Sequence, residues 1–251
     1  MTRLLLGDLP KATLGFDCFE LAVTGGFRGL RGVAAGFHRV ELSRGDERIA
    51  LPVVVSGGDG VIAFVLGERG FEPAPPSPLQ RAAAAGDLDH ALVDVSGLPA
   101  VPARAWRALT SRLASPEDAS AWRAIEPPHG AAGWTALEAG AAARQVIALQ
   151  GAWLAMNHDR DAAAADRLSA LLQSCVEADR TAVARHPRVF ADVLDGVAAM
   201  LVLAPELVLG WRPGFGRLLA ACAAAGADSS AAAAAAIRLD AAWRARAPSG
   251  D

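Results

Sequence analysis

The 251-residue chain contains no tyrosine, its only lysine is Lys11, and its three cysteines are Cys18, Cys175 and Cys222. One isolated lysine rules out a Gly-x-x-x-x-Gly-Lys phosphate loop, which needs the ammonium directly after the glycines. The thiols are few, widely spaced and set in apolar segments, the pattern of buried cysteines in a reducing compartment. No Cys-x-x-Cys, no His-Glu-x-x-His and no repeated histidine spacing occurs. His90 and Asp94, four residues apart, are the nearest approach to a ligand pair, so neither a metal nor a cofactor is expected. Charge of one sign is also lacking, since 24 basic and 27 acidic residues leave a formal −3. Without a basic surplus, direct nucleic-acid binding is not expected. No apolar run reaches the roughly 18 residues of a membrane span, "VAAMLVLA" being closed by Pro205 and Glu206. The start "MTRLLLGDLP" has too short an apolar core for a signal peptide. A cytoplasmic protein is expected. The abundance of alanine and the near-exclusive use of arginine over lysine point to a GC-rich, bacterial genome, so arginine here is no sign of phosphate recognition.

What is present is apolar and ordered in two halves. With 53% hydrophobic residues the chain can bury a sizeable core, and the patterning predicts an α+β protein: a mostly antiparallel β domain over residues 1–100, then a helical bundle over 101–251. In "LGFDCFELAV" the positions Phe19, Leu21 and Val23 alternate with Glu20 and Ala22, and "GFHRVELS" alternates less strictly. Two β-branched runs flank "SGGDG", predicting a hairpin there, with Pro52 at a strand end or an edge. Stretches near 72–78 and 126–134 read as linkers, the first because four prolines in "FEPAPPSP" deny backbone donors. Residues 106–113 are expected to bridge the halves. Beyond them, Val146, Leu149, Trp153 and Met156 recur at helical spacing, as do Leu168, Leu171, Leu172 and Cys175, then Phe190, Val193, Leu194, Val197 and Leu201. Asp159 or Asp161 is available to cap the second of these helices, and Ser229 or Ser230 the alanine-rich last one.

Gly25, Gly26, Gly29, Gly32 and Gly36 crowd the segment "GGFRGLRGVAAGFH". A dinucleotide fingerprint needs a helix N-terminus after the glycines, and here they lie between two predicted strands. Instead, Gly15-x-Asp17, Val23, Phe27-Arg28-Gly29-Leu30-Arg31 and Gly36-x-His38 together resemble, without a gap, the N-terminal signature of the a-one cistron splicing factors, the Aar-two family. Leu21 replaces a common tryptophan, Thr24 a glycine, and Ala34-Ala35 two prolines. The resemblance implies a β domain followed by a helical domain, and a non-enzymatic assembly chaperone without a cofactor. In eukaryotes that chaperone serves the U-five small nuclear ribonucleoprotein by holding its large scaffold protein. In a bacterium no spliceosome is available, so a protein partner is implied and its identity is open, as is the oligomeric state.

The remaining chemistry is sparse. Asp17 and His38 can meet across adjacent strands, and an alternative reading makes the protein a small hydrolase or transferase using Asp17, Arg28 and His38 in an inter-domain cleft. Structural hydrogen bonding is the better account of that pair, because no nucleophile accompanies it. Phe27, Leu30 and Phe37 are expected to fill the β core. Of six tryptophans, Trp134 and Trp211 are flanked by glycine or proline and are the candidates for sealing domain contacts or meeting a partner. The binding surface is expected at the domain junction and on the helical half.

Overall fold

The computed structural model describes residues 1–7, 9, 12–23, 27–44, 47–225 and 229–246. The protein is α+β, with strands first and helices later, and it divides into two compact units after Ala103.

In the first unit β1 (Thr2–Gly7), β2 (Thr13–Phe16), β3 (Phe19–Ala22), β4 (Gly29–Val33), β5 (Gly36–Arg44), β6 (Glu47–Val55), β7 (Val61–Gly67) and β8 (Gly70–Pro73) precede α1 (Pro78–Ala85) and β9 (Leu92–Asp94). They make a five-stranded sheet, β8-β7-β1-β4-β9, and a four-stranded one, β3-β2-β5-β6. The second sheet is antiparallel throughout, whereas β1 runs parallel to β7 and β4 parallel to β9. One core lies between the sheets, with Leu4, Leu6, Leu30 and Val33 on one side and Leu14, Phe16, Val40, Leu42 and Val53 on the other. Leu5 points the opposite way, against Ala83 of α1 and Leu92. A strand buried on both faces has no reason to alternate, which is why "LLL" carries the central strand.

The hairpin expected at "SGGDG" is not formed. β6 spends its whole length on β5, from Gly36↔Val55 to Arg44↔Glu47, while β7 lies beside β1 in the other sheet. The glycines therefore carry the chain from one sheet to the other. Pro52 sits on β6, an edge strand, where a missing N–H costs no ladder bond on the outer side. The stretch 72–78 is only partly a linker. Its first residues end β8, and Ser77 opens α1 through a capping box in which Gln80 N–H donates to Ser77 Oγ and Ser77 N–H to Gln80 Oε1.

The second unit holds most of α2 (Ala100–Leu109), then α3 (Gly130–Ala136), α4 (Ala139–His158), α5 (Ala162–Val176), α6 (Arg180–Arg185), α7 (Pro187–Leu203), α8 (Arg212–Ala224) and α9 (Ser230–Arg246). Trp106, expected to bridge the halves, packs edge-on against Trp153 within this unit. Asp161 is the cap of α5, accepting from the N–H groups of Ala163 and Ala164. Ser229 does not cap α9, because its hydroxyl is buried without a hydrogen bond among the described residues. Gln150 is wholly buried yet satisfied: its Oε1 accepts from Arg112 N–H and its amide donates to Ser111 Oγ, which closes the chain just beyond α2. The second expected linker, 126–134, ends in a helix, since residues 130–134 belong to α3.

Candidate functional site

The signature residues Gly15 to His38 pass through both sheets of the first unit. Gly15 lies on β2, opposite Glu20 of β3 and Glu41 of β5. Phe16 and Phe19 close the β2–β3 hairpin, leaving Asp17 and Cys18 as a two-residue turn. Such a turn demands a positive φ at its first central residue, and Asp17 has φ 56°, a conformation its short polar side chain tolerates. Asp17 N–H donates to Arg39 O at 2.8 Å, and Arg39 N–H returns a bond to Asp17 Oδ1 at 3.0 Å. Thr24, Gly25 and Gly26 lie outside the described residues. Val23 and Phe27 are partly buried against the shared core.

Asp17 and His38 do meet. His38 Nδ1 is 2.8 Å from Asp17 Oδ2, and His38 Nε2 is 2.8 Å from the carbonyl oxygen of Ala34. The ring stacks on Phe16, with centroids 5.2 Å apart and planes inclined by 15°. Only 3% of His38 is exposed. A carbonyl only accepts, so Nε2 carries a hydrogen and donates it to Ala34. Both ring nitrogens are thus committed, and neither presents a lone pair to a substrate. Burial pushes the Asp17 carboxyl above its ordinary pKa, against the opposing hydrogen bonds from His38 and Arg39 N–H. The neighbouring Cys18 thiol is pushed up to about 11 by burial and by the Asp17 charge, the reverse of an activated nucleophile.

Arg28 does not join this pair. It lies beside the five-stranded sheet, its N–H bonded to Ala91 O and its carbonyl accepting from Leu6 N–H, and it is exposed. Arg31 stands opposite Arg3 in the β1–β4 ladder, a like-charge pair that acidic neighbours neutralise. Arg3 grips Asp89 with two bonds of 2.7 and 3.0 Å, and Arg31 reaches Asp94 at 3.1 Å. The Arg3 bond holds the Asp89 carboxyl below its usual range, and the Ser96 hydroxyl does the same for Asp94. This ion-pair group escapes sequence reasoning because Arg3 and Asp89 are 86 positions apart; only Asp94-x-Ser96, a local side-chain-to-backbone pattern, leaves a trace.

The glycines answer to packing. A Cβ on Gly29 would lie 2.0 Å from Leu4 O, and one on Gly32 2.9 Å from Ser96 Cβ, at φ values of +143° and +75°. Gly36 also has a positive φ, in open space. Trp134, expected to meet a partner, is instead a core residue: it is 0% exposed, donates from Nε1 to Ser174 O at 2.9 Å and packs against Phe190 with the ring planes inclined by 52°. Its glycine neighbours serve close approach, since a Cβ on Gly133 would be 3.2 Å from Pro128. Trp211 is half-buried in a short turn, beside Leu209, which is 45% exposed.

Among the described residues no group of three or more His, Cys, Asp or Glu side chains is arranged to hold a metal ion, and no helix is long and apolar enough to cross a membrane. Fold and site together define an α+β protein whose most distinctive sequence segment is spent on joining two sheets. No protein-family model matches the chain, and no curated protein matches it.

Proposed function

We propose that this chain is a non-enzymatic protein-interaction or assembly factor of Aar-two type, acting in the cytoplasm on a protein client. The observation that carries this reading is the commitment of Asp17, Arg31 and His38 of the signature to structure, His38 above all, whose two nitrogens are bound within the fold. The hydrolase or transferase reading needs Asp17, Arg28 and His38 around one substrate. It finds no support in a buried pair and an exposed arginine beside the other sheet. A bundle-like helical unit offers the client its contact at the turn carrying Leu209 and Trp211. Aromatic residues that bury further on binding are the usual anchors of an interface.

The test is capture from the native host's lysate, followed by reconstitution of the retained protein with the purified full chain. A one-to-one complex is expected by light scattering. Trp211→Ala weakens it by about thirtyfold, the equivalent of about 2 kcal/mol. Leu209→Asp, which alters a more exposed position, weakens it too while leaving circular dichroism unchanged. Failure to retain any stoichiometric partner, or equal affinity of both variants, overturns the proposal.

A further inference from the structure

We propose that Asp17 and His38 form a one-proton latch that ties the β2–β3 turn to the β4–β5 connection and opens as pH rises. His38 reaches Asp17 in the first of these segments and Ala34 in the second, so one ring spans both. Nε2 is fixed as a donor by the Ala34 carbonyl. On the Nδ1···Oδ2 line a single proton then satisfies both atoms, whether it rests on the imidazolium or on the carboxylic acid, and in either case the pair is neutral overall. Remove it, and the Nδ1 lone pair faces a carboxylate oxygen 2.8 Å away. The side chains there are only 4% and 8% exposed, so water does not relieve the repulsion. Nor does the carboxylate turn away, because its other oxygen holds Arg39 N–H.

The direction with pH follows from proton counting. In an opened segment the carboxyl is ionised above about pH 4 and the imidazole neutral above about pH 6.5. Between those values closed and open forms each hold one proton, and opening is insensitive to pH. Above about 6.5 the closed latch holds one more proton than the open one, and opening becomes about tenfold more favourable per pH unit until the closed pair itself deprotonates. The burial that raises the Asp17 carboxyl acts in the same sense. Around the pair, β5 contributes Arg39 and Glu41, ion-paired at 3.5 Å. The turn contributes Cys18, β3 contributes Glu20, and β6 places the uncharged Val53 opposite His38. The Cys18 thiol, at about 11, stays neutral through the window. The first unit's other histidine, His90, is exposed next to β9 of the other sheet.

Amide hydrogen exchange of the full chain from pH 5.5 to 9, corrected for intrinsic rates, reads the latch at the Asp17 and Arg39 amides. Protection is expected to be level below about pH 6.5 and then to fall about tenfold per unit, while the Leu4 and Leu5 amides of β1 show no such slope. His38→Phe combined with Asp17→Asn keeps a ring against Phe16 and an acceptor for Arg39 N–H and removes both proton sites, so its slope vanishes. Imidazole nitrogen and Asp17 carboxyl resonances of the unaltered protein supply a second measurement that needs no variant, and one proton shared by the pair at pH 7 is expected. A level profile in the unaltered protein, a slope retained in the double variant, or an unprotonated Nδ1 beside an ionised Asp17 at neutral pH would each overturn the latch.

Discussion

Gly29→Ala destabilises residues 1–103 by more than about 4 kcal/mol. The methyl carbon would lie 2.0 Å from the Leu4 carbonyl oxygen and 2.9 Å from Leu5 Cα, both backbone atoms of the central strand β1. No side-chain rotation relieves such a contact. Moving β4 away would break its ladder with β1, where Gly29 stands opposite Leu5. The φ of +143° adds a conformational penalty that only glycine escapes. Backbone strain and lost pairing together exceed about 4 kcal/mol, against a typical domain stability of about 5–15 kcal/mol. All six tryptophans fall after residue 103, so their emission is silent on this unit. Hydrogen exchange of the β1 and β4 amides is the appropriate readout, and native-like protection in the variant would refute the prediction.

Trp134→Ala has the second largest expected effect. The indole is fully buried, lies 4.8 Å from the Phe190 ring and donates to Ser174 O, while the backbone carbonyl of the same residue is bonded to His186 Nε2. Removing it empties a large volume between α3, α5 and α7 and strips Ser174 O of its donor. A loss of about 3–5 kcal/mol is expected for a buried tryptophan. Urea unfolding followed through the five remaining tryptophans measures it. Trp134→Phe should recover part of the loss, because it refills much of the cavity but offers no N–H. A change under about 1 kcal/mol in Trp134→Ala would return this residue to the surface.

The order of strands then helices is legible because the period of the apolar pattern changes from two to three and four near residue 100. Asp161 as a cap and Pro52 on an edge are legible for local reasons, a side-chain oxygen next to free N–H groups and a missing donor. Three features are not. The hairpin expected at "SGGDG" rests on local turn chemistry, whereas β7 joins the buried strand β1 of the other sheet, a long-range pairing that no short window holds. Helix α1 announces itself through Ser77, Pro78 and Gln80, but three further prolines just before them disguise the box. Trp134 directly after a glycine looks exposed because glycine marks turns, whereas Gly133 is small so that Pro128 can lie against α3.

At the candidate site the sequence brings Asp17 and His38 together, although Asp17 reaches His38 of β5 from the β2–β3 turn and not from an adjacent strand. What the spacing withholds is the third partner, the Ala34 carbonyl, and with it the difference between a reactive imidazole and a spent one. The ion pairs of Arg31 are withheld for a similar reason, since Asp89 arrives from far along the chain.

The most direct test of the claim that this signature is structural is the stability of His38→Ala, read by hydrogen exchange of the β2 and β5 amides at pH 6. Breaking a buried, hydrogen-bonded pair while leaving Asp17 behind is expected to cost about 3 kcal/mol. Residues held in place for chemistry behave otherwise, and replacing them commonly leaves stability unchanged or raises it. Protection lowered by about a hundredfold or more therefore supports the account, and a His38→Ala protein as protected as the original contradicts it.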